Sequence, residues 1–278
     1  MKAPRRMMLR AMLGLGMLGS GLRGFGTANA ATGTAESNDD PHAALDARAD
    51  LVMEGSERIA MLAYEDMTAL DLVGPQYFFA SLMGAKVEIV STRRDRLPLR
   101  TDTALAITPD LALEEAHGPY DVLFVPGGTI GTVAAMRDAR VLEWLREQAP
   151  SARLVTSVCT GALVLGRAGL LEGRRATTHW AAMEVLPALG ATPVSARTVQ
   201  DGNLITGAGV SAGLDLGLAV VAQLRGAGYA KAVQLQAEYA PAPPFMSGHP
   251  DEAAPELTTM VEGLFGPAIS AFHAAARG

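Results

Sequence analysis

The run Asp121-Val122-Leu123-Phe124-Val125, halted by Pro126-Gly127-Gly128, constrains the fold more than any other stretch of this 278-residue chain. A short continuous apolar run has no face to turn toward water, so it must be covered on both sides, as the strands of a parallel sheet are. Related strand signals stand at 58–64, 86–91 and 153–157, and helix-length segments at 71–82, 141–148 and 160–168 alternate with them. Such alternation builds βαβ units and predicts an α/β fold with a mostly parallel central sheet covered by helices on both faces. A further strand is expected within 104–108. Two more, at 192–197 and 204–206, flank a turn at Asp201-Gly202-Asn203, and helices follow at 212–224 and 231–238. Pro75 is expected in the first turn of its helix, where a missing N–H costs little. Pro241, Pro243 and Pro244 end the regular pattern.

Hydrophobic residues make up 49% of the chain and charged residues 19%, which fits a globular protein. The charge is unevenly spread. Residues 1–30 hold Lys2, Arg5, Arg6, Arg10 and Arg23 and no acid, so the remainder has 18 bases against 29 acids, a net charge of −11. A body that acidic is a poor match for nucleic acid, and no nucleic-acid partner is expected. The basic start, the apolar stretch 11–22 and the small residues Ala28-Asn29-Ala30 have the order of a cleavable export signal. Arg5-Arg6 followed by Met7, Met8 and Leu9 resembles a twin-arginine leader, which predicts an exported, periplasmic protein. The apolar stretch is well short of the roughly 20 residues a membrane span needs, so membrane contact is expected only through an uncleaved leader. These features divide the chain into a leader (1–30), a flexible linker (31–56), one domain (57–245) and a peripheral helical tail (246–278).

Cys159 is the only cysteine. In Val155-Thr156-Ser157-Val158-Cys159-Thr160-Gly161-Ala162 it sits between a strand end and a helix start, with small residues around it. This is the pattern of a nucleophile elbow. A helix N-terminus lowers the pKa of a neighbouring thiol, so a thiolate is expected; the competing reading is a buried, inert cysteine. Gly127 and Gly128, at the end of the neighbouring strand, are placed to bring backbone N–H groups beside Cys159, and the Thr160 N–H is a third donor for an anionic intermediate. Asp71, among Leu70, Leu72 and Val73, is either a helix cap or a carboxylic acid kept protonated by an apolar site. His179 is the one histidine in the predicted core; as a pocket residue it competes with the commoner reading of a hydrogen-bonded structural histidine. No cluster of His, Cys and Asp has ligand spacing, so no metal site is expected.

Taken in order, Leu70-Asp71-Leu72-Val73-Gly74-Pro75, Val125-Pro126-Gly127-Gly128-Thr129, Thr156-Ser157-Val158-Cys159-Thr160-Gly161, Ala176-Thr177-Thr178-His179-Trp180 and Glu238-Tyr239-Ala240-Pro241 resemble the DJ-1/PfpI superfamily, and within it the isonitrile hydratase branch. The resemblance implies a flavodoxin-like sandwich, a homodimer without a cofactor and a small-molecule substrate. It makes Cys159 the nucleophile, with Asp71 and Thr160 as its catalytic companions and Gly127 and Gly128 as the binding loop. Protease-like members carry His after the cysteine, and many others carry Glu where Asp71 stands; both departures point to the hydratase branch. The implied reaction is hydration of an isonitrile to an N-substituted formamide. Two other functions are compatible with such a domain: a non-catalytic sensor like that of AraC-type regulators, and a thiol redox or glyoxalase-like detoxifying protein.

Overall fold

The computed structural model describes residues 52–277. The leader and most of the linker lie outside the described residues. β1 (Arg58–Ala63) is followed by α1 (Ala69–Ala80), β2 (Lys86–Ser91), β3 (Leu99–Arg100), β4 (Ala106–Ile107), β5 (Leu111–Ala112) and β6 (Val122–Val125). Then come α2 (Ile130–Arg137), α3 (Ala139–Gln148), β7 (Leu154–Val158), α4 (Gly161–Arg167) and β8 (Arg175–Ala176). A 3₁₀ segment (Trp180–Leu189), β9 (Thr192–Pro193), β10 (Thr198–Asp201), β11 (Leu204–Gly207), α5 (Ala212–Gln236) and α6 (Pro255–Arg277) complete the chain.

Seven strands form the central sheet in the order β10-β11-β7-β6-β1-β2-β5. All neighbours are parallel except the β10–β11 hairpin. β6 is buried along its whole length, as its unbroken apolar run requires. From β1 the chain moves outward to β2, then returns to the other side of β1 with β6. The β1/β6 boundary is therefore a switch point, where the loops at the carboxyl ends diverge and leave a crevice. Register sets the depth of that crevice: Val125 lies opposite Ser157, and Gly207 opposite Val158. Pro126, Cys159 and Ala208 consequently leave three adjacent strands at nearly one level.

Several expectations are corrected. The strand expected within 104–108 is present as Ala106–Ile107, paired with Leu99–Arg100 in an antiparallel ribbon separate from the central sheet. At 192–197 only Thr192–Pro193 is extended, paired with β8, and the hairpin partner of β11 is Thr198–Asp201. Pro193 has no N–H to offer a longer ladder there. α1 begins at Ala69, so Pro75 lies inside the helix rather than in its first turn. The cap of α1 comes from outside it: Asp102, in the β3–β4 turn, accepts from the Thr68 hydroxyl at 2.9 Å and from the Ala69 N–H at 3.2 Å. α5 is broken at Gly226, with φ 86° and ψ 162°, a conformation that only glycine adopts readily.

Both ends of the domain are fastened. Residues 52–56, expected to be flexible linker, are tied down by Arg225. This buried guanidinium grips the Glu57 carboxylate through two nitrogens, at 2.6 and 2.5 Å, and donates to the carbonyls of Val52, Met53 and Met83. The C-terminal segment forms α6. α6 packs against α2 and the 3₁₀ segment, burying Phe272 and Ala275, and His273 Nε2 lies 3.2 Å from Glu184 Oε1.

Candidate active site

Cys159 occupies the turn between β7 and α4 with φ 57°, in the left-handed region that a non-glycine residue enters only when its surroundings hold it there. Three hydrogen bonds do so. Its N–H is shared between the carbonyls of Gly207 (3.0 Å) and Ala208 (2.7 Å), and its own carbonyl accepts from the Thr178 hydroxyl at 2.8 Å. Gly161 lets α4 start at once: a Cβ there would sit 2.3 Å from the Val125 carbonyl oxygen. The sharp strand-to-helix turn expected from the sequence is present.

Gly127 draws the remaining groups together. A side chain at that position would meet the Thr160 nitrogen at 2.6 Å and both Asp71 Oδ2 and Cys159 Cβ at 2.8 Å. Only glycine permits thiol and carboxyl to share this space. Asp71 is fully buried in α1; its Oδ2 accepts from the Gly127 N–H at 2.9 Å, and Oδ1 is left without a partner. It is therefore not the cap of its helix.

The electrostatics run against a resting thiolate. Burial pushes the Cys159 thiol well above its ordinary value, and the negative charge on Asp71 pushes it further; the Thr160 N–H and hydroxyl oppose both without prevailing. α4 is only seven residues long, and Cys159 is 5% exposed, so desolvation outweighs the helix end. Burial likewise raises Asp71 to about 7, against the Gly127 N–H and the thiol, with Asp102 adding a smaller upward push. Above that pH the pair holds a single proton, on sulfur, and the carboxylate beside it is the base.

The loop glycines and Thr160 are tied to Asp71 and to one another. The Gly127 N–H is committed to Asp71 and the Gly128 N–H to the Thr160 hydroxyl at 2.9 Å, so neither is free to serve an oxyanion. Thr160 Oγ1 also donates to the Gly128 carbonyl at 2.6 Å and lies 2.9 Å from Thr132 Oγ1. Thr132 in turn lies 3.2 Å from the Tyr64 hydroxyl, which donates to the Pro126 carbonyl at 2.5 Å. Tyr64, Thr132 and Thr160 thus pin the glycine loop over the thiol, and the donor left facing sulfur is the Thr160 N–H. Tyr64, Thr132, Thr178 and Asp102 were not singled out by sequence reasoning. Tyr64, Thr178 and Asp102 follow strand ends within two residues, whereas Thr132 lies inside α2 and carried no such signal.

His179 stands at the edge of the site, with its Nδ1 accepting from the Ala181 N–H at 3.3 Å and its ring stacked on Phe265 of α6 at 4.8 Å. Burial lowers it to about 4, so it is neutral at physiological pH. Among the described residues no group of three or more His, Cys, Asp or Glu is placed to hold a metal ion.

Residues 57–223 match the DJ-1/PfpI family. The chain is 49% identical to the isonitrile hydratase of Pseudomonas putida over 196 residues, 70% of this chain and 84% of that protein. It is 36% identical over 133 residues to the HTH-type transcriptional regulator CdhR of Pseudomonas aeruginosa, 46% of this chain but only 38% of the regulator. Among solved structures, a THiJ/PfpI family protein from Pseudomonas syringae superposes with a TM-score of 0.79 at 46% identity, covering 81% of this chain and 93% of that one. With the family matched over more than half of the chain and the flavodoxin-like sandwich shared with that neighbour, this chain belongs to the DJ-1/PfpI family.

Proposed function

We propose that the protein hydrates isonitriles to N-substituted formamides, with Cys159 as nucleophile and Asp71 as its proton carrier. The observation that carries the substrate is the 49% identity to the Pseudomonas putida isonitrile hydratase. The pairing of thiol and carboxyl across Gly127 supports the chemistry.

The steps follow from where the proton resides. Asp71 carboxylate takes the thiol proton as sulfur attacks the terminal carbon of R–N≡C, then delivers it to that carbon, giving the thioimidate R–N=CH–S–Cys159. Water adds to the thioimidate carbon. Asp71 accepts one of its protons and returns it to nitrogen, leaving R–NH–CH(OH)–S–Cys159. Collapse to R–NH–CHO breaks the C–S bond, and the hydroxyl proton restores the thiol. One water is consumed and the enzyme ends as it began. The Thr160 N–H, facing the sulfur, steadies it whenever it carries negative charge.

Export through the leader at residues 1–30 and assembly as a homodimer belong to the same proposal. Cell fractionation and sedimentation of the mature protein test them. A sensor role is the rival reading, favoured by the similarity to a transcriptional regulator. A raised thiol pKa argues against the redox reading, since oxidation proceeds through the thiolate. The deciding experiment is formamide formation from an aromatic isonitrile by the wild type and Cys159→Ala. Loss of turnover in the variant is expected. Equal rates would refute the mechanism, and binding without turnover by the wild type would favour the sensor.

A further inference from the structure

A groove of about 460 Å³ runs between α2 and α6. Thr129, Ile130 and Val133 form one wall, and Phe265, Ala268 and Ala271 line the other. Its volume is that of a small-molecule pocket, and its lining carries no charged side chain. Ile130 is 73% exposed at the rim, an apolar side chain left in water on the free protein.

Both walls are joined to the loops that hold the thiol. Thr129 directly follows Gly128, whose N–H and carbonyl are held by the hydroxyl of Thr160, the residue after Cys159. Phe265 stacks on His179, and His179 Cδ2 lies 3.3 Å from the position a Gly209 side chain would take. Gly209 follows Ala208, whose carbonyl accepts the Cys159 N–H. His179 is itself neutral, so the ring stacked on Phe265 brings no charge to this wall.

We propose that this groove holds the substituent of the isonitrile and selects bulky, uncharged hydrocarbon groups, which makes α6 a specificity element. The proposal rests on the hydratase reading. A nitrogen substituent points away from the carbon that sulfur attacks, and this apolar groove has in its wall Thr129, the residue that follows the glycine loop. Burying a ring there also covers Ile130 and Phe265.

The test compares kcat/KM for methyl isonitrile, cyclohexyl isonitrile and isocyanoacetate in the full chain and two variants. Ala268→Phe fills the groove and Phe265→Ala strips one wall. For each variant the preference for cyclohexyl over methyl isonitrile is expected to fall about 10- to 100-fold, with methyl isonitrile nearly unchanged. The wild type is expected to disfavour isocyanoacetate. An unchanged cyclohexyl-to-methyl ratio in a variant that still turns over methyl isonitrile overturns the groove assignment and leaves the hydratase reading standing. A wild type that hydrates none of the three overturns both. A change in sedimentation for Ala268→Phe without a change in selectivity makes the groove a contact between copies and also overturns the proposal.

Discussion

Replacing Asp71 by Asn changes stability in a way that depends on pH, and burial is the main cause of that dependence. The carboxyl has an ordinary value of 3.8 and is raised to about 7 in the fold. Between those values the unfolded chain has released the proton and the folded chain still holds it, so raising the pH favours unfolding. The stability contributed by neutral Asp71 is fully present below about pH 4, is lost progressively up to about pH 7, and changes no further above that. At 1.36 kcal/mol per pKa unit the whole loss is roughly 4 kcal/mol. Asn keeps an oxygen for the Gly127 N–H and has no charge to desolvate. The difference in unfolding free energy between Asp71→Asn and wild type should therefore rise by about 1.4 kcal/mol per pH unit from pH 4 to 7 and then level off. Urea unfolding at pH 4.5, 5.5, 6.5 and 8 measures it. Any fixed cost of fitting the Asn amide shifts all four differences equally, so the slope is the diagnostic. A difference constant across that range would refute the raised pKa and, with it, the assignment of Asp71 as a base that works near neutrality.

Other measurements bear on separate parts of the site. In wild type, kcat/KM for an isonitrile should rise with pH through about 7, as Asp71 ionises and becomes able to take the thiol proton, and Asp71→Asn should lose that limb together with most of the rate. Gly161→Ala places a methyl 2.3 Å from the Val125 carbonyl oxygen and should cost roughly 1–3 kcal/mol or more in denaturant unfolding. Gly263→Ala, in α6 with nothing near the new methyl, should be stabilising by up to about 1 kcal/mol. Thr160→Val leaves the N–H and carbonyl of Gly128 without their partner; it should cost roughly 1–3 kcal/mol and lower kcat for isonitrile hydration. A variant with wild-type stability and kcat would contradict the pinning role of Thr160.

What was legible in the sequence were features written locally. The unbroken run Val122–Val125 gave a central strand, and the small residues around Cys159 gave the turn that holds it at φ 57°. α2 was missed because Gly131, Thr132 and Val133 are poor helix formers. Gly131 is there for the close approach of the Glu65 carbonyl, 2.2 Å from where its Cβ would be, a constraint set by a distant strand end. The hydrogen bonds of the site span 32 residues from Gly128 to Thr160 and 56 from Asp71 to Gly127, and sheet order alone brings those residues together. Sequence spacing therefore identified the glycine loop but could not show that its N–H groups were already committed. The same limit explains the thiol. A helix start argues for thiolate, and only the burial of Cys159 beside a carboxyl reverses the sign.

That reversal suits the proposed chemistry better than a resting thiolate would. An isonitrile carbon, once attacked, must gain a proton, and a site holding a bare thiolate beside a carboxylate would have none to give. A thiolate beside a protonated acid carries the same single proton as the observed pair, placed on the other atom, and burial decides which form rests. Keeping the proton on sulfur protects the thiol from oxidants and off-target electrophiles until a substrate occupies the crevice. In the proposed mechanism the substrate then draws the proton through Asp71 to its own carbon, so that the S–H bond breaks only as the C–S bond forms. Alkylation supplies the contrast: iodoacetamide, which offers no proton-accepting carbon, should modify Cys159 slowly at pH 7 in a stoichiometric mass assay, while isonitrile turnover proceeds at the same pH. Fast alkylation at neutral pH would mean that the thiolate is already present, and the case for Asp71 as proton carrier would fall.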